Sequence, residues 1–273
     1  MKANNLSISI PNKGCNKSCP YCVSKIAPNV ENNEKLFIKN IHKVKKMADI
    51  TGVTSVSITG KGEPTLNMSN VYDVLHTLTE YVTELQTNWK VFEDKEDCNN
   101  LLYQLSLSGL NVIAFLIDTM EQFETLEYAF NKAWEYGIIP RVTINITNLL
   151  PEDITFEKLL KTCKLYGVKQ MSLRQVVKPN NCEENKHTKW IDENVNPNMY
   201  NRLIQEFQRK AEQFLFIRSL PYGAKLFDVK GISFTYFDYC IQDSSNGNDI
   251  RSLIYQQDGH CYTTWNNPAS IIF

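Results

Sequence analysis

Three cysteines, Cys15, Cys19 and Cys22, lie within the segment Gly14-Cys15-Asn16-Lys17-Ser18-Cys19-Pro20-Tyr21-Cys22, spaced C-x3-C-x2-C. Thiolates are soft ligands that select zinc, copper(I) or iron–sulfur clusters. Residues 1–9 carry no long apolar core of the kind that forms a secretory leader. A cytoplasmic location is therefore expected, where close-set cysteines bind metal or do redox chemistry more often than they form structural disulfides. A closed structural zinc site takes four ligands, and the nearest histidine, His42, falls on a predicted helix away from the loop. Three protein ligands leave a coordination position open for something else. A zinc loop, or cysteines with no metal role, remain alternatives on the cysteines alone.

A second motif follows. Residues 53–59 alternate and are rich in β-branched side chains, the pattern of a strand. They run into Gly60-Lys61-Gly62-Glu63-Pro64. Glycines let a backbone come close to a ligand, Glu63 can accept hydrogen bonds from an ammonium group, and Pro64 fixes the turn. Taken together, the cysteine loop and this turn resemble the radical S-adenosylmethionine (SAM) superfamily. The aromatic Tyr21 before the last cysteine fits, and the turn is similar to that family's Gly-Gly-Glu-Pro motif with a lysine between the glycines. The resemblance implies that Cys15, Cys19 and Cys22 hold three irons of a [4Fe–4S] cluster. It implies that SAM chelates the fourth iron and that the Gly60–Glu63 turn binds the methionine amine.

The elements that must position these motifs are legible as a series. Strands are expected at 5–10, 53–59, 84–88, 111–117, 140–147 and 168–177, with helices at 32–48, 69–81, 99–106, 121–136 and 154–166. Strands alternating with helices argue a parallel sheet. The expected class is α/β, a partial (β/α)6 barrel of parallel strands with a C-terminal antiparallel β-rich extension. Its divisions are 1–178 for the barrel core, 179–213 for a loop and helix over the barrel mouth, and 214–273 for the extension, pictured as covering the open side. In barrels the ligand sits at the carboxyl ends of the strands. The cysteine loop follows strand one and the Gly-Glu-Pro turn follows strand two, so both fall on that rim.

Other polar residues fall near strand ends: Asn88 in Gln86-Thr87-Asn88, Asp118, Asn145 and Arg174. The resemblance implies that residues at such places bind the ribose hydroxyls and carboxylate of SAM, and a guanidinium suits a carboxylate. A structural polar network lining the barrel is the alternative. The segment from Arg251 to Tyr262 looks like the hairpin of family members with extra clusters, as in the molybdopterin-precursor synthase, but its dense Cys-x2-Cys pairs are missing. Cys240 and Cys261 therefore read as small apolar residues, with a second cluster not expected. His42, His76, His187 and His260 show no ligand spacing and read as structural or exposed, with substrate contact in the cap the alternative for His187 and His260.

The net charge of −1 gives no overall basic field, which disfavours a dedicated nucleic-acid partner. No run of about 18 apolar residues is present, so no membrane span is expected. The resemblance implies reductive cleavage of SAM to a 5′-deoxyadenosyl radical, which abstracts hydrogen from a nucleotide, pterin or amino-acid-like small molecule. A flavodoxin or ferredoxin would supply the electron. A peptide- or protein-modifying maturase or activase, or an RNA-modifying enzyme, is the alternative.

Overall fold

The computed structural model describes all residues except 1, 13, 28–29, 180–181, 221–223, 238–248 and 266. Strands β1 (Lys2–Ser9), β2 (Ser55–Thr59), β3 (Val82–Thr87), β4 (Val112–Ile117), β5 (Ile139–Ile146) and β6 (Gln170–Gln175) pair in sequence order, each parallel to the next. Between them run α1 (Glu34–Thr51), α2 (Met68–Thr77), α3 (Lys95–Leu107), α4 (Glu121–Thr125), α5 (Glu127–Glu135) and α6 (Phe156–Leu165). The one helix expected over 121–136 is thus two, parted at Leu126.

Local sequence explains the elements. In β2 the side chains of Val56 and Ile58 are buried, while Ser55, Ser57 and Thr59 alternate with them. Helix α1 begins where the Asn33 side chain accepts a hydrogen bond from the Leu36 amide, and it ends at Gly52, whose φ of 74° is left-handed. Its buried face carries Phe37, Ile41, Val44 and Ala48 at helical spacing.

The C-terminal region adds α7 (Lys186–Asn194), α8 (Pro197–Gln208), β7 (Leu215–Ser219), β8 (Lys225–Val229), β9 (Ile232–Phe237), β10 (Asp249–Tyr255) and β11 (Cys261–Tyr262). The expected antiparallel strands are present: β7–β8, β8–β9 and β10–β11 pair antiparallel. They continue the sheet at both edges, in the order β11-β10-β1-β2-β3-β4-β5-β6-β9-β8-β7. Strand β9 joins β6 in parallel and β10 joins β1 in parallel. Edge backbone groups left on β1 and β6 are satisfied in this way.

A second difference concerns the first part of 179–213, where the loop is expected ahead of the helix. Residues 186–194 form α7, because Asn185 and Thr188 make a reciprocal capping box and Ile191 gives the short helix a buried side. The polar composition hid it.

The barrel interior is polar where a full eight-unit barrel is filled by branched aliphatics. Arg141 is ion-paired with Glu84 and donates from Nε to Gln170 Oε1 at 2.8 Å. Gln86 donates to Glu84 at 2.9 Å, and Thr143 and Ser172 lie 3.0 Å apart. Among the described residues no helix is long and apolar enough to cross a membrane.

Candidate metal centre and adjoining cavity

The loop after β1 and the turn after β2 are in backbone contact. The Glu63 amide donates to the Gly14 carbonyl at 3.0 Å. A Cβ on Gly62 would stand 2.0 Å from Gly14 O and 2.5 Å from Asn12 Oδ1, and one on Gly60 would stand 2.9 Å from Asn12 Nδ2. The glycines thus admit the cysteine loop itself. Any close approach to a ligand comes in addition to that. Lys61 is not among the residues lining the adjoining cavity; burial lowers its ammonium pKa, and the charge of Asp258 works against that shift.

Cys15, Cys19 and Cys22 line a cavity of about 230 Å³ together with Gly62, Glu63, Asn88, Asn145 and Arg174. Leu116, Val176 and Val177 supply apolar wall. Cys15 is exposed, and Cys19 and Cys22 are half-buried. Burial first, and then the charge of Asp118, push the Cys19 thiol up, with Lys17 opposing. Among the described residues no three Cys, His, Asp or Glu side chains are gathered around a single point as a mononuclear site needs. Thiolates that each bind a different iron of a cluster need no such convergence. Three soft donors on one loop, opening onto one cavity, suit an iron–sulfur cluster.

Glu63 is buried, and its carboxylate organises the rim. Oε1 accepts from the Thr65 amide at 3.1 Å, the Thr65 hydroxyl at 2.7 Å and the Thr87 hydroxyl at 2.8 Å. Oε2 accepts from the Asn88 amide at 2.7 Å. The Asn88 side chain reaches the other way, to Cys15 and Asn16. After it the chain takes a left-handed conformation at Trp89, φ 66°, a region that non-glycine residues seldom enter.

Asp118 and Asn145 meet, but Asp118 does not line the cavity. Its Oδ1 takes the Tyr21 hydroxyl and Asn145 Nδ2, the latter at 3.1 Å. Burial, then the Asp118 charge, drive the Tyr21 hydroxyl pKa far up, so the tyrosine stays protonated and donates. The two residues singled out as ligand-binding thus help seat the aromatic residue of the cysteine loop. Arg174 reaches the cavity wall from β6.

Sequence reasoning missed two contributors. Lys17, inside the cysteine motif, lies 3.8 Å from Asp118 Oδ2 and 4.1 Å over the Trp89 ring. Only its position between ligands could have flagged it. Helix α7 brings His187, whose Nδ1 lies 2.7 Å from the Pro20 carbonyl, and Trp190, whose ring lies 5.7 Å from that of Tyr21. His187 therefore sits against the loop backbone. His260 lies in the turn between β10 and β11, where its amide donates to Asp258 Oδ1 at 3.0 Å. Cys163 and Cys261 are buried in the main core, whereas Cys182 packs with Cys19 on a separate small cluster of Tyr21, Ile26, Val176 and Ile191. Cys240 lies outside the described residues.

Residues 6–134 match the model of the 4Fe-4S single cluster domain family. No curated protein matches the chain. Among solved structures the chain resembles Streptococcus suis SuiB bound to S-adenosylmethionine, with TM-score 0.59 and 15% identity over 95% of this chain and 60% of that one. SuiB bound to its precursor peptide SuiA gives 0.58, with 15% identity over 96% and 60%. Coproporphyrinogen III oxidase (HemN) from Escherichia coli, a radical SAM enzyme, gives 0.53, with 17% identity over 80% and 55%. The chain spans about 60% of the length of SuiB. At these identities the likeness is one of fold.

Proposed function

We propose that the chain is a radical S-adenosylmethionine enzyme acting on a small molecule, a reading supported by its two motifs, the match of residues 6–134 to the 4Fe-4S single cluster domain family and a fold like that of HemN. When bound, the cluster and SAM supply one-electron cleavage of SAM and the radical that removes hydrogen from substrate. The supporting observation is that the cysteine loop and the Glu63 turn open onto one cavity.

The chain's own residues have these roles. Cys15, Cys19 and Cys22 provide the thiolates. Glu63 Oε2 carries one described hydrogen bond and offers its remaining lone pair to the methionine ammonium, beside the backbone of residues 60–62. Arg174 presents a guanidinium for a carboxylate, and Asn145 stands at the cavity for a ribose hydroxyl. Leu116, Val176 and Val177 keep water from the reacting centre. Polar interior side chains around Thr143 and Gln86 suit a hydrophilic small molecule. An electron donor of the flavodoxin or ferredoxin type completes the system. A peptide substrate is the second reading, favoured by the likeness to SuiB bound to its precursor peptide.

The test is anaerobic. The chain is reconstituted with iron and sulfide, reduced, given SAM alone and assayed for methionine and 5′-deoxyadenosine by mass spectrometry. Both products are expected, and Cys19→Ala is expected to bring them to background while its thermal unfolding matches that of the metal-free wild type. Intact SAM beside a reduced cluster whose paramagnetic resonance is unmoved by SAM would overturn the reading.

A further inference from the structure

Asn88 was expected to contact SAM, yet every polar group of its side chain is engaged within the protein. Nδ2 donates to Cys15 Sγ at 3.1 Å and to Asn16 Oδ1 at 2.8 Å, which uses both of its hydrogens. Oδ1 accepts from the Lys90 amide at 3.0 Å. The residue is buried, and its own amide donates to Glu63 Oε2 at 2.7 Å. Asn88 therefore spans the two motifs, with its backbone on the carboxylate of the turn and its side chain on a sulfur of the loop. Among the described residues the two hydrogen bonds that reach sulfur in this loop both end on Cys15, the second from the Lys17 amide at 3.4 Å.

Resting on the reading above, we propose that Asn88 is a positioning residue that ties Cys15 to the Glu63 turn and raises the reduction potential of the cluster through its N–H···S bond. Reduction adds negative charge to the iron and sulfur atoms. A donor aimed at a ligand sulfur stabilises that charge, and hydrogen bonds to the sulfurs are among the factors that set cluster potentials. The selectivity for Cys15 makes the three irons inequivalent. The bond also explains why the chain turns left-handed at Trp89, since that turn lets the Lys90 amide close on Asn88 Oδ1 and lock the carboxamide plane.

The test measures the midpoint potential of the reconstituted cluster without SAM, by a titration followed through paramagnetic resonance. Asn88→Ala is expected to lower the reduced-to-oxidised ratio at a fixed potential about tenfold, equivalent to about 59 mV for one electron. Asn88→Asp, similar in shape but carrying a carboxylate in place of the donor, should shift it at least as far in the same direction. An unshifted potential on a fully assembled Asn88→Ala cluster overturns the inference, all the more so if SAM affinity collapses instead. Should the variants assemble no cluster, the wild type decides. Protein labelled with ¹⁵N-asparagine must show an amide-nitrogen hyperfine coupling to the reduced cluster, and its absence overturns the inference. A wild-type chain that takes up no [4Fe–4S] cluster overturns the functional reading, and this inference with it.

Discussion

The cysteine loop and the β10–β11 hairpin both carry cysteine beside glycine, and they use the two residues in opposite ways. Cys261 is fully buried in the strand pair with β10. Its hairpin grips α1: Asn40 donates to the Gly259 carbonyl at 2.8 Å, the Asn33 amide donates to the Gln257 carbonyl at 2.9 Å, and Tyr255 stacks on Phe37 with centroids 4.6 Å apart. The cysteine loop has no strand partner for its thiols and keeps them exposed or half-buried. Regular pairing turns a cysteine into a small core residue, whereas irregular backbone leaves it able to bind metal.

The largest effects that would break or sharpen this comparison lie at two glycines. Gly62→Ala drives a Cβ into Gly14 O and should displace the loop. Most of the bound iron should be lost, with little change in unfolding temperature; full iron content would undo the distinction. Gly259→Ala meets the α1 backbone, with Leu36 C and Phe37 N each 2.6 Å away, at a φ of +81°. It should cost at least about 1–3 kcal/mol of stability through overpacking and backbone strain, read by denaturant unfolding, while iron binding persists in the folded fraction.

Smaller effects separate the thiols themselves. Cys261→Ala should cost about 1 kcal/mol, the scale of deleting one buried methyl-sized group, and leave cluster uptake intact. A loss of iron would move Cys261 into the metal site. The smallest effect is kinetic. Burial pushes the thiols of Cys98 and Cys261 up to about 12 and that of Cys163 further still, with Asp94 adding to the shift at Cys98. At pH 8 these groups hold almost no thiolate, so iodoacetamide should label Cys15, Cys22 and Cys182 of the metal-free protein well before them. Peptide mapping of the alkylated chain reads the order.

The residues of the sequence determined the two motifs, the alternation of strands and helices, and therefore the rim on which the motifs fall. These are local matters of spacing, β-branching and turn chemistry. The hairpin at Asp258-Gly259 belongs with them, since it is a two-residue signal between alternating runs. Helix α7 escaped because it is held less by a long apolar stripe than by its cap and by contacts with a distant loop.

What only the tertiary structure decided is which groups meet across long spans of chain. Asn88 and Cys15 are 73 residues apart, Tyr21 and Asp118 97, and His187 and Pro20 167. The pairing of β10 with β1 joins the two ends of the chain. Each such contact depends on strand register, and a slip of one residue turns a side chain to the other face of the sheet. Composition and spacing carry no record of that choice, so a polar residue at a strand end can be found in the sequence while its partner cannot.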